Sequence, residues 1–144
     1  IILYPSPKQI LSLNFKDINE NDISLKAFKG QLIIINFWAT WCKPCKEEMP
    51  SLDRLSKNRE FKNLIILPIN AEKPNKIKAE KFYFDLKIKN LKIYFDPELN
   101  LINGFGLRGV PTTILINSKG EEFARILGEI NFEDKKFISW LKRF

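Results

Sequence analysis

The sequence predicts one α/β domain with a central sheet and helices on both of its faces, and three observations point there. Gln31 to Trp38 is an almost unbroken apolar run with consecutive isoleucines, the pattern of a strand buried on both faces. A helix-like segment follows from about Cys42 to Asn58, and Leu64 to Ile69 forms a second apolar run. That strand-helix-strand order implies a parallel, right-handed crossover. With 144 residues, 44% of them hydrophobic, the chain has material for one core, so residues 1–144 read as a single domain.

Each element follows from local chemistry. Residues 1–9 read as an irregular segment because Pro5 and Pro7 fall within it, and Ile10, Leu13 and Phe15 begin extended structure. Asp17 to Asp22 is dense in Asn, Asp and Glu, and Ile23 and Leu25 resume the extended pattern, which predicts a small hairpin covering a sheet edge. Pro50 lies inside the first helix, where it removes a backbone donor and kinks or breaks the helix. Glu47 and Glu48, in its early turns, suit the helix dipole and are assigned to solvent.

Lys76 to Leu86 reads as helix, Leu91 to Phe95 as strand, and Glu98 to Asn103 as a short helix ended by Gly104 or Gly106. The aromatic cluster Phe82, Tyr83 and Phe84 is assigned to core and interface packing. Thr112 to Ile116 and Phe123 to Leu127 form a strand pair around the turn Asn117-Ser118-Lys119-Gly120. Asn131 to Phe144 closes the chain as a helix, with Phe132, Phe137, Trp140 and Leu141 at helical spacing.

The only two cysteines, Cys42 and Cys45, stand where the first strand meets the first helix. Separated by two residues on a first helical turn, they are close enough to bond, and unpaired main-chain N–H groups there favour a thiolate. Cys42 is then the nucleophile and Cys45 the resolving thiol. Zinc normally needs four protein ligands, and this chain has one Cys pair and no His. A purely structural disulfide across so short a loop would stabilise little, and haem attachment wants His where Lys46 stands. Pro44 fits a first helical turn and stiffens the dipeptide between the thiols, while Lys43 places a cation beside Cys42.

The run NFWATWCKPCKEEMP, Asn36 to Pro50, resembles the active-site segment of the TlpA/ResA-like thioredoxin family of exported or membrane-tethered thiol-disulfide oxidoreductases. Ser24 to Gly30 is similar to that family's lead-in to its first core strand, and Gly109-Val110-Pro111-Thr112-Thr113 to its cis-proline loop. The resemblance implies a thioredoxin-like fold with a mixed central sheet, an N-terminal β-hairpin and an inserted strand-helix pair. It implies a cis Pro111, with Val110 and Pro111 forming a main-chain docking site beside Cys42 and excluding metal and water from the thiols. Trp41 and Trp38 would shape the surface near the thiol, Trp38 mainly from the core. Thioredoxin-like proteins can carry a carboxylic acid where Asn36 stands; an amide cannot move protons, so Asn36 is assigned to orienting local backbone. Ile69-Asn70-Ala71-Glu72 resembles the place of an active-site glutamate, and strand geometry puts Glu72 on the same sheet edge as Cys42. Glu72 is therefore expected to exchange protons with the thiol pair.

The implied activity is reduction of disulfides in exported proteins, with cytochrome c maturation as one pathway, protein dithiols and disulfides as substrates and an upstream thiol reductant. No cofactor beyond the Cys42–Cys45 pair and no metal is expected. A disulfide oxidase or isomerase and a copper-binding thiol chaperone are the alternatives; a peroxidase lacks its Thr-x-x-Cys motif here. The net charge of +7 could attract nucleic acid, anionic lipid or an acidic partner. Lys is scattered among Ile, Asn and Phe, all encoded by A/T-rich codons, and no block of five like charges marks a nucleic-acid tail. Neither nucleic-acid binding nor oligomerisation is expected. The sequence contains no run of about 18 uninterrupted apolar residues of the kind that spans a bilayer. The first residue is Ile rather than Met, which fits a processed or truncated product, and an extracytoplasmic protein with an upstream signal or anchor fits the resemblance.

Overall fold

The computed structural model describes residues 2–9 as backbone and residues 12–144 in full. The strands are β1 (Ile2–Gln9), β2 (Asn14–Asp17), β3 (Asp22–Ser24), β4 (Leu32–Trp38), β5 (Leu64–Asn70), β6 (Tyr94–Phe95), β7 (Thr112–Ile116) and β8 (Glu121–Leu127). The helices are α1 (Lys43–Leu55), α2 (Lys76–Asp85), α3 (Asn100–Gly104) and α4 (Lys135–Leu141). One mixed sheet runs in the order β1-β8-β7-β4-β5-β6-β2-β3. β5 is parallel to β4 and to β6, as the crossovers through α1 and α2 require, and the other pairings are antiparallel.

The pleat of β4 divides the core. Leu32, Ile34 and Trp38 face a layer made by Met49, Leu52 and Leu55 of α1, Phe82 of α2 and Phe137 and Leu141 of α4. Ile33, Ile35 and Phe37 face the other layer, with Leu25, Leu101 and Phe105. Full burial of a side chain such as Met49 or Leu52 contributes about 1.5–3 kcal/mol. Asn36 belongs by this alternation to the face that α1 covers. Trp38 stacks on Phe82 with ring centroids 4.4 Å apart and meets Tyr83 at 5.6 Å, which closes α2 over the end of β4.

The hairpin β2–β3 forms and covers the β6 side of the sheet, as expected. Several boundaries differ from the sequence reading. Ile2–Gln9 is an edge strand paired with β8, not an irregular segment, but its register shifts between Leu3 and Lys8, where Pro5 and Pro7 offer no N–H. Ile10 lies outside the described residues. α1 ends at Leu55 and continues through Pro50. β6 is only Tyr94–Phe95, and its pairing with β5 begins at Ile69, just past Pro68. α4 begins at Lys135 because Asp134 caps it through Phe137 N–H, at 3.0 Å; Phe132 packs from the preceding turn. Phe84 is exposed, unlike Phe82 and Tyr83.

Candidate active site

β4 ends at Trp38, and Ala39-Thr40-Trp41 carries the chain to Cys42, the N-cap of α1. Cys42 has extended backbone, φ −87° and ψ 108°, and its Sγ accepts a hydrogen bond from the Cys45 N–H at 3.2 Å. That donor is one of the N–H groups a helix start leaves unpaired, and it favours negative charge on Cys42 sulfur. Pro44, in the first turn, has no such donor to satisfy. Cys42 and Cys45 are joined as a disulfide with Cα atoms 5.3 Å apart. Cys45 is fully buried and Cys42 exposes 2% of its surface, recessed beside exposed Trp41, Lys43 and Pro44. Trp41, 70% exposed, is the largest apolar surface next to the thiols.

The loop before β7 meets this helix tip from the side. β7 pairs with β4 with Thr112 opposite Phe37, so Pro111 and Val110 lie next to the end of β4. The Val110–Pro111 bond is cis, and Thr112 Oγ1 donates to Gly109 O at 2.7 Å across the loop. Val110 is half-buried and packs against both core layers.

Beneath the thiols the structure places a carboxyl that sequence reasoning assigned to solvent. Glu48 is 2% exposed, whereas Glu47 beside it is exposed. Glu48 Oε1 accepts from Asn36 Nδ2 at 2.8 Å, and Oε2 accepts from the Ile130 N–H at 3.1 Å. Burial drives its pKa up to about 7, against the opposing pull of those two bonds. Three residues after Cys45, it lies on the same helix face, one turn deeper. Asn36 also donates to Thr113 Oγ1 at 3.1 Å, its register partner on β7. Asn36 therefore holds a buried carboxyl rather than local backbone. The interruption of an otherwise apolar strand by an amide was the signal available: a buried amide needs partners, and Glu48 supplies one.

Glu72 emerges on the predicted sheet edge, as Ala71 N–H donates to Trp38 O at 2.9 Å. Its Oε1 accepts from Thr40 N–H at 2.6 Å and from Asn70 Nδ2 at 3.1 Å, and its Oε2 accepts from Thr40 Oγ1 at 2.9 Å. Partial burial pushes its pKa up, but these bonds and Lys78, 3.5 Å away, outweigh it and hold the carboxyl below its ordinary range. Such a group stays ionised at neutral pH and fixes the loop before Cys42. Lys43 also faces Glu129, whose carboxyl is pushed up by desolvation and by Glu47, so its charge is not devoted to Cys42. Among the described residues no cluster of three or more His, Cys, Asp or Glu could hold a metal.

The sequence profile of the AhpC/TSA family matches residues 7–121. The chain is 33% identical over 114 residues to the thiol-disulfide oxidoreductase ResA of Halalkalibacterium halodurans, covering 79% of this chain and 64% of that protein. To the ResA of Geobacillus thermodenitrificans it is 32% identical over 120 residues, covering 83% and 68% respectively. Thus the chain spans about two thirds of the length of these curated relatives. Its fold superposes on StoA of Bacillus subtilis with a TM-score of 0.72 at 26% identity, over 99% of this chain and 98% of that one. A thiol:disulfide interchange protein of Chlorobium tepidum gives a TM-score of 0.78 at 20% identity, over 96% and 99%. With the thioredoxin-like sheet, the Cys pair at the tip of α1 and the cis-proline loop beside it, the chain belongs to the AhpC/TSA family, in its ResA-like group.

Proposed function

We propose that this chain is a thiol-disulfide oxidoreductase that reduces disulfides in exported proteins. The observation that supports it most is the bonded Cys42–Cys45 pair at the tip of α1, with Glu48 one turn below. In the reduced protein, Cys42 thiolate attacks one sulfur of a partner disulfide; a new S–S bond forms and the other partner sulfur leaves, taking a proton. Glu48 carboxylate, with its pKa near 7, accepts the Cys45 proton, and Cys45 sulfur attacks Cys42 sulfur. The mixed disulfide breaks, the second partner sulfur leaves as a thiol, and two electrons have passed from the cysteine pair to the partner. A thiol reductant then restores the dithiol.

In this scheme Glu72 is a positioning residue that fixes Thr40, and Glu48 is the proton carrier. Trp41 and Pro44 present the surface against which a partner lies, and Val110 with cis Pro111 offers main chain to it. The exported, extracytoplasmic setting and a place in cytochrome c maturation rest on the resemblance. No helix among the described residues is long and apolar enough to cross a membrane.

The test is trapping. A Cys45→Ser variant, reduced and mixed with a disulfide-containing protein, accumulates a mixed disulfide through Cys42 visible by intact mass; Cys42→Ser accumulates none. Absence of any adduct with Cys45→Ser overturns the assignment. Equilibration of the wild-type pair against glutathione sets the direction: a potential well below that of glutathione supports a reductase, one well above it an oxidase.

A further inference from the structure

The surface beside Cys42 is not evenly charged. A groove of about 250 Å³ opens between the start of α1 and α2, lined by Thr40, Lys46, Lys78, Lys81 and Asp85 over a floor of Phe82 and Leu86. A cleft of about 400 Å³ continues it around the end of β5, sharing Thr40 and Lys78 and adding Glu72 and Lys73. The continuous surface carries four lysines against two carboxylates. Both carboxylates are already engaged: Glu72 by Thr40, Asn70 and Lys78, and Asp85 by Lys81 at 2.6 Å. Lys46 and Lys73 have no ion-pair partner among the described residues. On the other side of the thiols, Glu47 and Glu129 face each other with Lys43.

The groove borders the segment that carries the reacting sulfur. Thr40, two residues before Cys42, and Lys46, on the helical turn that Cys42 caps, both line it. A partner segment that extends from Cys42 toward α2 enters this groove. Exposed Ile77 and Phe84 border Lys81 on α2 at helical spacing, so the rim is apolar as well as basic. Phe82 is committed to Trp38 in the core and offers no stacking platform to a nucleic-acid base.

We propose that this groove selects the partner: the disulfide substrate carries an acidic, extended segment beside its reacting cysteine, which Lys46, Lys78 and Lys81 bind while the sulfur docks at Cys42. This rests on the thiol-exchange reading above. Acidic residues on that segment meet Lys46, which has no ion-pair partner among the described residues, and a surface whose lysines outnumber its own carboxylates even where Lys78 and Lys81 are paired, and the acidic Glu47–Glu129 side repels the reverse orientation.

Three synthetic peptides with the same disulfide core, flanked by Asp/Glu, Ser/Gly or Lys residues, test it. The second-order rate of exchange with the reduced full chain is measured by acid quench and mass spectrometry. At about 20 mM salt the acidic peptide is expected to react about tenfold faster than the basic one, with the neutral peptide between them, and about 0.5 M salt brings the three together. In the double variant Lys46→Glu/Lys81→Glu the order reverses; both side chains are exposed, and circular dichroism checks the fold. Equal rates at low salt, or a preference unmoved by salt or by the double variant, overturn the groove proposal alone. No exchange with any peptide overturns the thiol-exchange reading instead. Equal peptide rates together with binding to phosphatidylglycerol vesicles that the double variant loses would assign the lysines to lipid headgroups and overturn it.

Discussion

Asn36 on the central strand and Glu48 on the first helix meet through a 2.8 Å hydrogen bond from the amide to the carboxyl, buried beneath the Cys42–Cys45 pair. The amide donates and the carboxyl accepts, so the bond favours the ionised acid while burial favours the neutral one. Their balance sets the group near neutrality, where it can both take and return a proton.

Replacing Glu48 by Gln keeps the shape and removes the proton acceptor. The rate of mixed-disulfide resolution at pH 7 is expected to fall about 100-fold, the lower end for a lost acid–base group. The inflection near pH 7 in the wild-type pH–rate profile disappears with it. A Gln variant that keeps both rate and inflection overturns the role.

Glu48 also makes stability depend on pH. An acid whose pKa is raised on folding, here from 4.5 to about 7, binds its proton more tightly in the folded chain. Its favourable contribution is complete below pH 4.5 and is lost as pH rises through about 7, a change on the order of 3 kcal/mol. Urea unfolding of wild type at pH 5 and pH 8, compared with Glu48→Gln, isolates this: the fall from pH 5 to pH 8 is smaller in the variant by that amount.

Asn36→Ala removes the bond that holds Glu48 down. The kinetic inflection then moves above 7, and the loss of buried partners for Glu48 and Thr113 lowers stability by about 1–3 kcal/mol. An inflection that stays in place would mean that Asn36 does not tune the carboxyl.

Glu72→Gln gives the opposite pattern. The wild-type carboxyl is held below its ordinary value, so its contribution is present above the unfolded carboxylate range and is lost as pH falls through the folded value. The variant is less stable by about 1–2 kcal/mol at neutral pH, and the two stabilities converge in acid. The inflection near pH 7 remains, because Glu48 carries it. Loss of that inflection in Glu72→Gln would restore Glu72 as the proton carrier.

Much of the molecule was legible along the chain. β4 and β5 were visible as apolar runs because a strand buried on both faces needs no polar alternation, and the Cys pair was visible because two thiols at a helix start have few other uses. The edge strand Ile2–Gln9 was not, because Pro5 and Pro7 suppress the pattern, and only β8 shows that the flanking residues still pair.

The site divided in the same way. Which sulfurs pair, and that Pro111 follows Val110 through a cis bond, came from local spacing and from a family resemblance carried by contiguous motifs. Which carboxyl lies buried beneath them did not, since Glu47 and Glu48 are chemically identical neighbours in the sequence. A helix turns about 100° per residue, so one of the two faces water and the other lies under the sheet beside Asn36. The choice rests on the packing of α1 against β4, and burial, a property of the assembled layers, is what gives Glu48 its chemistry.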